Sequence, residues 1–143
     1  MKFKFEKDEN RSEVIAYSKE KTELISMIES ICFADEFPLV GYYENEIKEL
    51  NALEIECFYT SNEKIYALLD KKSYLVKKRL YELNDLFKDT FIFINQGCLV
   101  NLNHIERFEV SIGGSLIVVM KSGYKDYVSR RQIKSIKERI GIK

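Results

Sequence analysis

One histidine, one proline and three cysteines are all that this 143-residue sequence holds of those residue types. A single histidine, His104, excludes a histidine-cluster zinc site. Cys32, Cys57 and Cys98 are odd in number and far apart, so they form neither a disulfide framework nor a zinc signature. Reduced thiols are the expectation, with no neighbouring cysteine in sequence to support a redox switch at Cys98. No apolar run approaches the roughly 18 residues that a membrane-spanning helix needs. Gly113-Gly114 is not followed by Lys-Ser/Thr, so no phosphate-cradling loop is present. The opening Met1-Lys2-Phe3-Lys4-Phe5-Glu6 alternates and lacks the apolar core of a signal peptide. The expectation is a cytoplasmic protein with no metal, cofactor or small-molecule substrate. Cys98 and His104 could pair as nucleophile and base, but their strand-then-turn setting offers no oxyanion hole or orienting carboxylate, so an enzyme is not expected.

What is present fits a folded protein of one domain, or one domain with a short extension. Hydrophobic residues make up 45% and charged residues 32%. The net charge is zero, which at first speaks against nucleic acid. Its distribution speaks otherwise. Residues 1–45 hold 6 basic and 10 acidic side chains, a net of −4, and residues 46–143 hold 17 and 13, a net of +4. The tail 121–143 holds 8 and 2, a net of +6. A basic working surface beside an acidic accessory segment has this pattern, and so does a solvated, salt-bridged surface.

Along the chain, Phe3 and Phe5 suggest a short strand and Val14 to Tyr17 another. Ser18 is a candidate N-cap for a helix near 19–33, in which Leu24, Ile25, Ile28, Ile31 and Cys32 share one face. Pro38 closes the break after it, and Leu39 to Tyr43 reads as a strand. From residue 46 short strands alternate with turns. They are expected near 55–60, 65–69, 73–77, 91–94, 98–102, 105–110, 116–120 and 124–128. Leu80, Leu83, Leu86 and Phe87 mark a short helix. Ser61 to Lys64, Asp70 to Lys72, Gly113-Gly114 and Ser122-Gly123 are turn signals.

Ser129-Arg130-Arg131-Gln132 has the form of a capping box opening a last helix. Ile133, Ile136 and Ile140 line one face of that helix, and Gly141 closes it. Arg131 falls nearly opposite the apolar face, and Lys134 lies well away from it. Cations at the positive end of a helix are electrostatically misplaced unless a polyanion meets them. A solvated basic helix has the same residues.

The segment Phe91-Ile92-Phe93-Ile94-Asn95-Gln96-Gly97-Cys98-Leu99-Val100-Asn101, then Ile105, then Val128-Ser129-Arg130-Arg131, resembles the LytTR-type DNA-binding domain family. Leu80-Tyr81-Glu82-Leu83 fits that family's short helix, and the likeness spans about residues 46–141. The resemblance implies a mainly β fold, an elongated stack of antiparallel sheets with short helices. A small β-α-β segment, residues 1–45, precedes residues 46–143, as in standalone members without a receiver domain. It implies a transcription regulator that inserts loops into successive major grooves of double-stranded DNA at promoter repeats. The contact positions carried over are Glu63 and Lys64 in the first hairpin, Asn95 and Gln96 before the L-V-N strand, and Arg130 and Arg131 at the last helix. Lys134 joins them as a phosphate contact.

Phe93, Asn95, Gln96 and Gly97 depart from the family's usual Arg, His, Arg or Lys, and Ser. Asn and Gln can still pair with adenine, so either a different base is read there or binding is weaker. Asn101 is expected to serve the turn after its strand. The acidic segment 1–45 is expected to dock on the domain and support a homodimer. The resemblance also implies a small membrane protein as inhibitor. The rival reading is a protein-interaction module that has lost DNA binding.

Overall fold

The computed structural model describes residues 3–11, 13–36 and 38–141. Its elements are α1 (Glu23–Glu36), β1 (Leu39–Tyr43), β2 (Glu46–Leu50), β3 (Cys57–Ser61), β4 (Lys64–Leu69), β5 (Lys72–Val76), α2 (Leu80–Leu86), β6 (Phe91–Asn95), β7 (Cys98–Asn101), β8 (Ile105–Val110), β9 (Leu116–Met120), β10 (Lys125–Val128) and α3 (Arg130–Ile140). Two single 3-10 turns, Ala52–Glu54 and Leu102–His104, complete it.

The strands form a seven-stranded sheet, ordered β2-β1-β5-β4-β3-β7-β6, and a three-stranded sheet, ordered β10-β9-β8. All the ladders are antiparallel. The mainly β architecture is therefore as expected. Side chains that alternate along a strand point to opposite faces, and here both faces of the central strands are covered. Phe58, Ala67, Leu69, Phe91 and Leu99 pack on one face with Leu80 and Leu83 of α2. Cys57, Leu68, Ile94, Cys98 and Val100 pack on the other, against Val118, Met120 and Val128 of the small sheet and Ile136 of α3. This is why strands in the middle of the chain read as nearly continuous apolar runs. Gly41 marks a close approach: a Cβ there would lie 2.6 Å from Leu50 Cδ1 and 2.8 Å from Tyr74 Cβ.

The amino-terminal segment departs from the expected β-α-β. Phe3 to Phe5 and Val14 to Tyr17 are not strands, because no neighbouring strand pairs with them, and Phe3, Phe5 and Tyr17 are almost fully exposed. The helix begins at Glu23, not near residue 19. Thr22 stands immediately before Glu23, the first helical residue, and its Oγ1 accepts the Ile25 N–H at 3.3 Å, so it displaces Ser18 as the cap. The strand β1 pairs along its length with β2 and touches β5 through Tyr42 and Leu75. The expected boundary at residue 45 thus falls inside the β1–β2 hairpin.

Candidate nucleic-acid interface

Strand register brings the expected contact residues to one end of the molecule. The β3–β4 hairpin turns at Asn62-Glu63, with Ser61 opposite Lys64. Both turn residues have positive φ, 51° and 63°, which Asn tolerates better than Glu. The β6–β7 hairpin turns at Gln96-Gly97 beside it, because Tyr59 pairs with Cys98 and the Thr60 N–H donates to Gly97 O at 2.9 Å. The start of α3 arrives at the same place. The Ser129 N–H donates to Ile94 O at 2.8 Å, so the helix begins against the end of β6. The β8–β9 tip, with fully exposed Ile112, projects from this end as well, since Leu116 pairs with both Val110 and Val128.

Glu63, Lys64, Gln96, Arg130, Arg131 and Lys134 are all exposed here. Among the described residues, no ion pair engages any of these basic side chains. Arg130 and Arg131 occupy the first turn of α3, where the helix field is positive, with no acidic residue in that turn. Ile136 is buried and Ile133 and Ile140 pack against the core, which fixes the opposite face outward. Gly141 ends the helix at φ 80°, as its sequence position suggests. The expected capping box does not form. Ser129 is the N-cap by position but makes no side-chain cap bond; its backbone carbonyl takes the Gln132 N–H instead.

Asn95 is corrected from a DNA-contacting residue to a structural one. It is only 4% exposed, its Nδ2 donates to Tyr127 O at 2.9 Å, and its Oδ1 accepts the Gly97 N–H at 2.9 Å. The side chain is engaged in holding the β6–β7 turn against β10, so its amide is not free for a base edge. That bond also sets Gln96 outward beside the start of α3. Phe93, which stands where a cation was expected, packs against the α2 side of the core. Sequence reasoning passed over Lys77, Lys78 and Arg79. They follow β5 directly, and Val76 pairs with Ile65, so they emerge next to Lys64 at this same end. The run is visible in sequence, but only the register shows which end it occupies.

At the opposite end polar side chains are turned inward. Asn101 is fully buried; its Nδ2 donates to Ile55 O at 2.9 Å and its Oδ1 accepts the Asn103 N–H at 2.9 Å. This is the turn-holding role expected of it. The His104 ring Nε2 bonds Leu53 O, and Glu56 Oε1 accepts the Ser122 N–H. Cys98 is buried beside Cys57, and that neighbour together with burial pushes its thiol far above the usual cysteine range. Cys98 and His104 are thus engaged separately, not as a nucleophile and its base.

The family model described as the LytTr DNA-binding domain matches residues 45–141. An "uncharacterized HTH-type transcriptional regulator" of Staphylococcus aureus strain NCTC 8325 / PS 47 is 35% identical over 104 residues, covering 73% of this chain and 71% of the relative. A counterpart from the bovine strain RF122 / ET3-1 is 34% identical over the same shares. The fold resembles the solved LytTr DNA-binding domain of a Bacillus cereus protein described as a methyl-accepting/DNA response regulator. The TM-score is 0.68 at 19% identity, covering 73% of this chain and 97% of that one. The names of these relatives carry the words HTH-type. Among the described residues, five strands separate α1 from α2 and five more separate α2 from α3, so no two of these α-helices are consecutive.

Proposed function

This chain belongs to the LytTR DNA-binding domain family, and on that premise we propose that it regulates transcription by reading duplex DNA with the end that carries Lys64, Gln96, Arg130, Arg131 and Lys134. The observation that carries the reading is the convergence of two hairpin turns and a helix start at one end, with exposed cations that form no ion pair among the described residues. Arg131 and Gln96 take the base-reading role, Lys64 and Lys134 the phosphate role. Glu63, at the strained tip of the first hairpin, suits the amino group of cytosine.

No described helix is long and apolar enough to cross a membrane. We read the protein as working in the cytoplasm and as binding repeated sites as a homodimer. The dimer is supported by α1, which leaves Leu24, Met27 and Ile31 about half exposed. Such an apolar face is suited to a second copy, and paired modules gain avidity without new base contacts. The test is selection from a randomised duplex pool, followed by salt titration. A recovered motif with affinity falling steeply in salt supports the reading; no enrichment and no salt dependence overturn it. Deleting residues 1–36 is expected to weaken binding to two half-sites much more than to one. Equal binding of both DNAs by the shortened chain removes the dimer.

A further inference from the structure

The corner where β5 leaves the large sheet has a basic cluster that the sequence resemblance does not include. Lys77 and Arg79 are exposed, and Lys78 between them is half-buried. Val76 pairs with Ile65, so Lys77 emerges beside Lys64 on the adjoining strand. On the other side β1 contributes Tyr42, and the Lys77 ammonium sits over its ring, 4.5 Å from the centroid. The aromatic face holds that charge in place without neutralising it. Among the described residues, no carboxylate forms an ion pair with Lys64, Lys77, Lys78 or Arg79. Four cations at one corner with no ion-pair partner among the described residues repel one another, and a polyanion relieves that repulsion.

The position of the corner says which part of a duplex it meets. Strands lie about 4.8 Å apart, so the end of β5 is three spacings, about 14 Å, from the β7 side of the Gln96-Gly97 turn. The major groove is about 12 Å wide. The β5 corner lies one strand spacing outside the β3–β4 turn, so with that turn in a major groove the corner faces the backbone that borders it. The middle segment has Phe93, Asn95, Gln96 and Gly97 and no cation of its own between residues 90 and 97.

Resting on the DNA-binding reading above, we propose that Lys77 and Arg79 clamp a DNA phosphate strand bordering the groove and supply charge that the Phe91–Gly97 segment lacks. The clamp anchors any sequence alike and carries no base preference.

The experiment uses the full chain, the duplex recovered by selection and a random-sequence duplex of equal length. Lys77→Gln with Arg79→Gln is expected to weaken both duplexes by the same factor. The log–log salt slope should fall by about 2, at roughly 0.9 per lost phosphate contact. Lys71→Gln with Lys72→Gln is the matched control. It removes the same charge from the opposite end of the β4–β5 hairpin, including a lysine that also rests on a tyrosine ring, and should leave the slope unchanged. Lys77→Arg with Arg79→Lys keeps both charges and should keep the wild-type slope. If the first pair leaves the slope at the wild-type value, or the control pair lowers it equally, the clamp is wrong while DNA binding stands. Loss confined to the selected duplex contradicts a phosphate role. Wild-type protein that binds neither duplex overturns the clamp and the DNA-binding reading together.

Discussion

The two ends of the strand layers use polar residues in opposite ways. At one end Asn101, His104 and Glu56 turn inward and hydrogen-bond backbone groups of neighbouring segments. At the other, Lys64, Lys77, Arg79, Arg130, Arg131 and Lys134 point outward without an ion-pair partner among the described residues. An inward polar group that loses its partner destabilises the fold. An outward cation contributes little to stability and is available to a ligand. Stability and DNA affinity should therefore separate by end, with Asn95 as an inward polar residue on the outward side.

The largest expected effect is at Asn101. Asn101→Ala leaves the Ile55 carbonyl and the Asn103 N–H without their partner. Urea unfolding should show a loss of about 2–6 kcal/mol, from two groups at about 1–3 kcal/mol each. A loss below about 1 kcal/mol would mean that water replaces the amide and that this end is not the structural anchor.

Asn95→Ala comes next and crosses the divide. It should cost about 1–3 kcal/mol of stability through the Tyr127 and Gly97 bonds. Its neighbour Gln96→Ala should cost almost none and should relax preference at one base position with little change in salt slope. If Asn95→Ala keeps full stability but shifts base preference, the division between the two residues is reversed.

These adjacent residues also mark how much the sequence made legible. Alternation and turn residues placed β3 to β10 within a residue or two, because each strand's apolar side chains face a filled core. The hairpin, the L-V-N strand and the V-S-R helix start were identifiable, and register brings them together. Asn95 was misread because its partner, the Tyr127 carbonyl, lies 32 residues away and leaves no local sequence signal. The Lys77–Arg79 run was passed over for the same reason: only pairing with β4 shows where it emerges. At the amino terminus the alternation of Phe3 and Phe5 resembles a strand, but a strand exists only where a ladder partner does. The helix starts later than expected because Ser18 and Thr22 are both chemically able to cap, and it is the Thr22 Oγ1 that takes the Ile25 N–H.

Arg131→Ala should lower affinity for the selected DNA by about 1–3 kcal/mol and leave the melting temperature nearly unchanged. Unchanged affinity in a folded variant removes Arg131 from the base-reading set. The smallest effects belong to Lys64→Ala and Lys134→Ala. Each should weaken all sequences alike and lower the salt slope by roughly 0.9. A sequence-selective loss at either would move it from phosphate to base contact.

Amide chemical-shift mapping of the full chain, titrated with the selected duplex, compares both ends in one experiment. Large shifts are expected at Glu63–Lys64, Gln96–Gly97, Lys77–Arg79 and Ser129–Lys134. Asn51–Glu54, Asp70–Lys72, Asn101–His104 and Lys121–Gly123 should stay near their free positions. Shifts centred on the Asn101 end, or spread equally over both, would contradict the assignment of DNA to the cationic end.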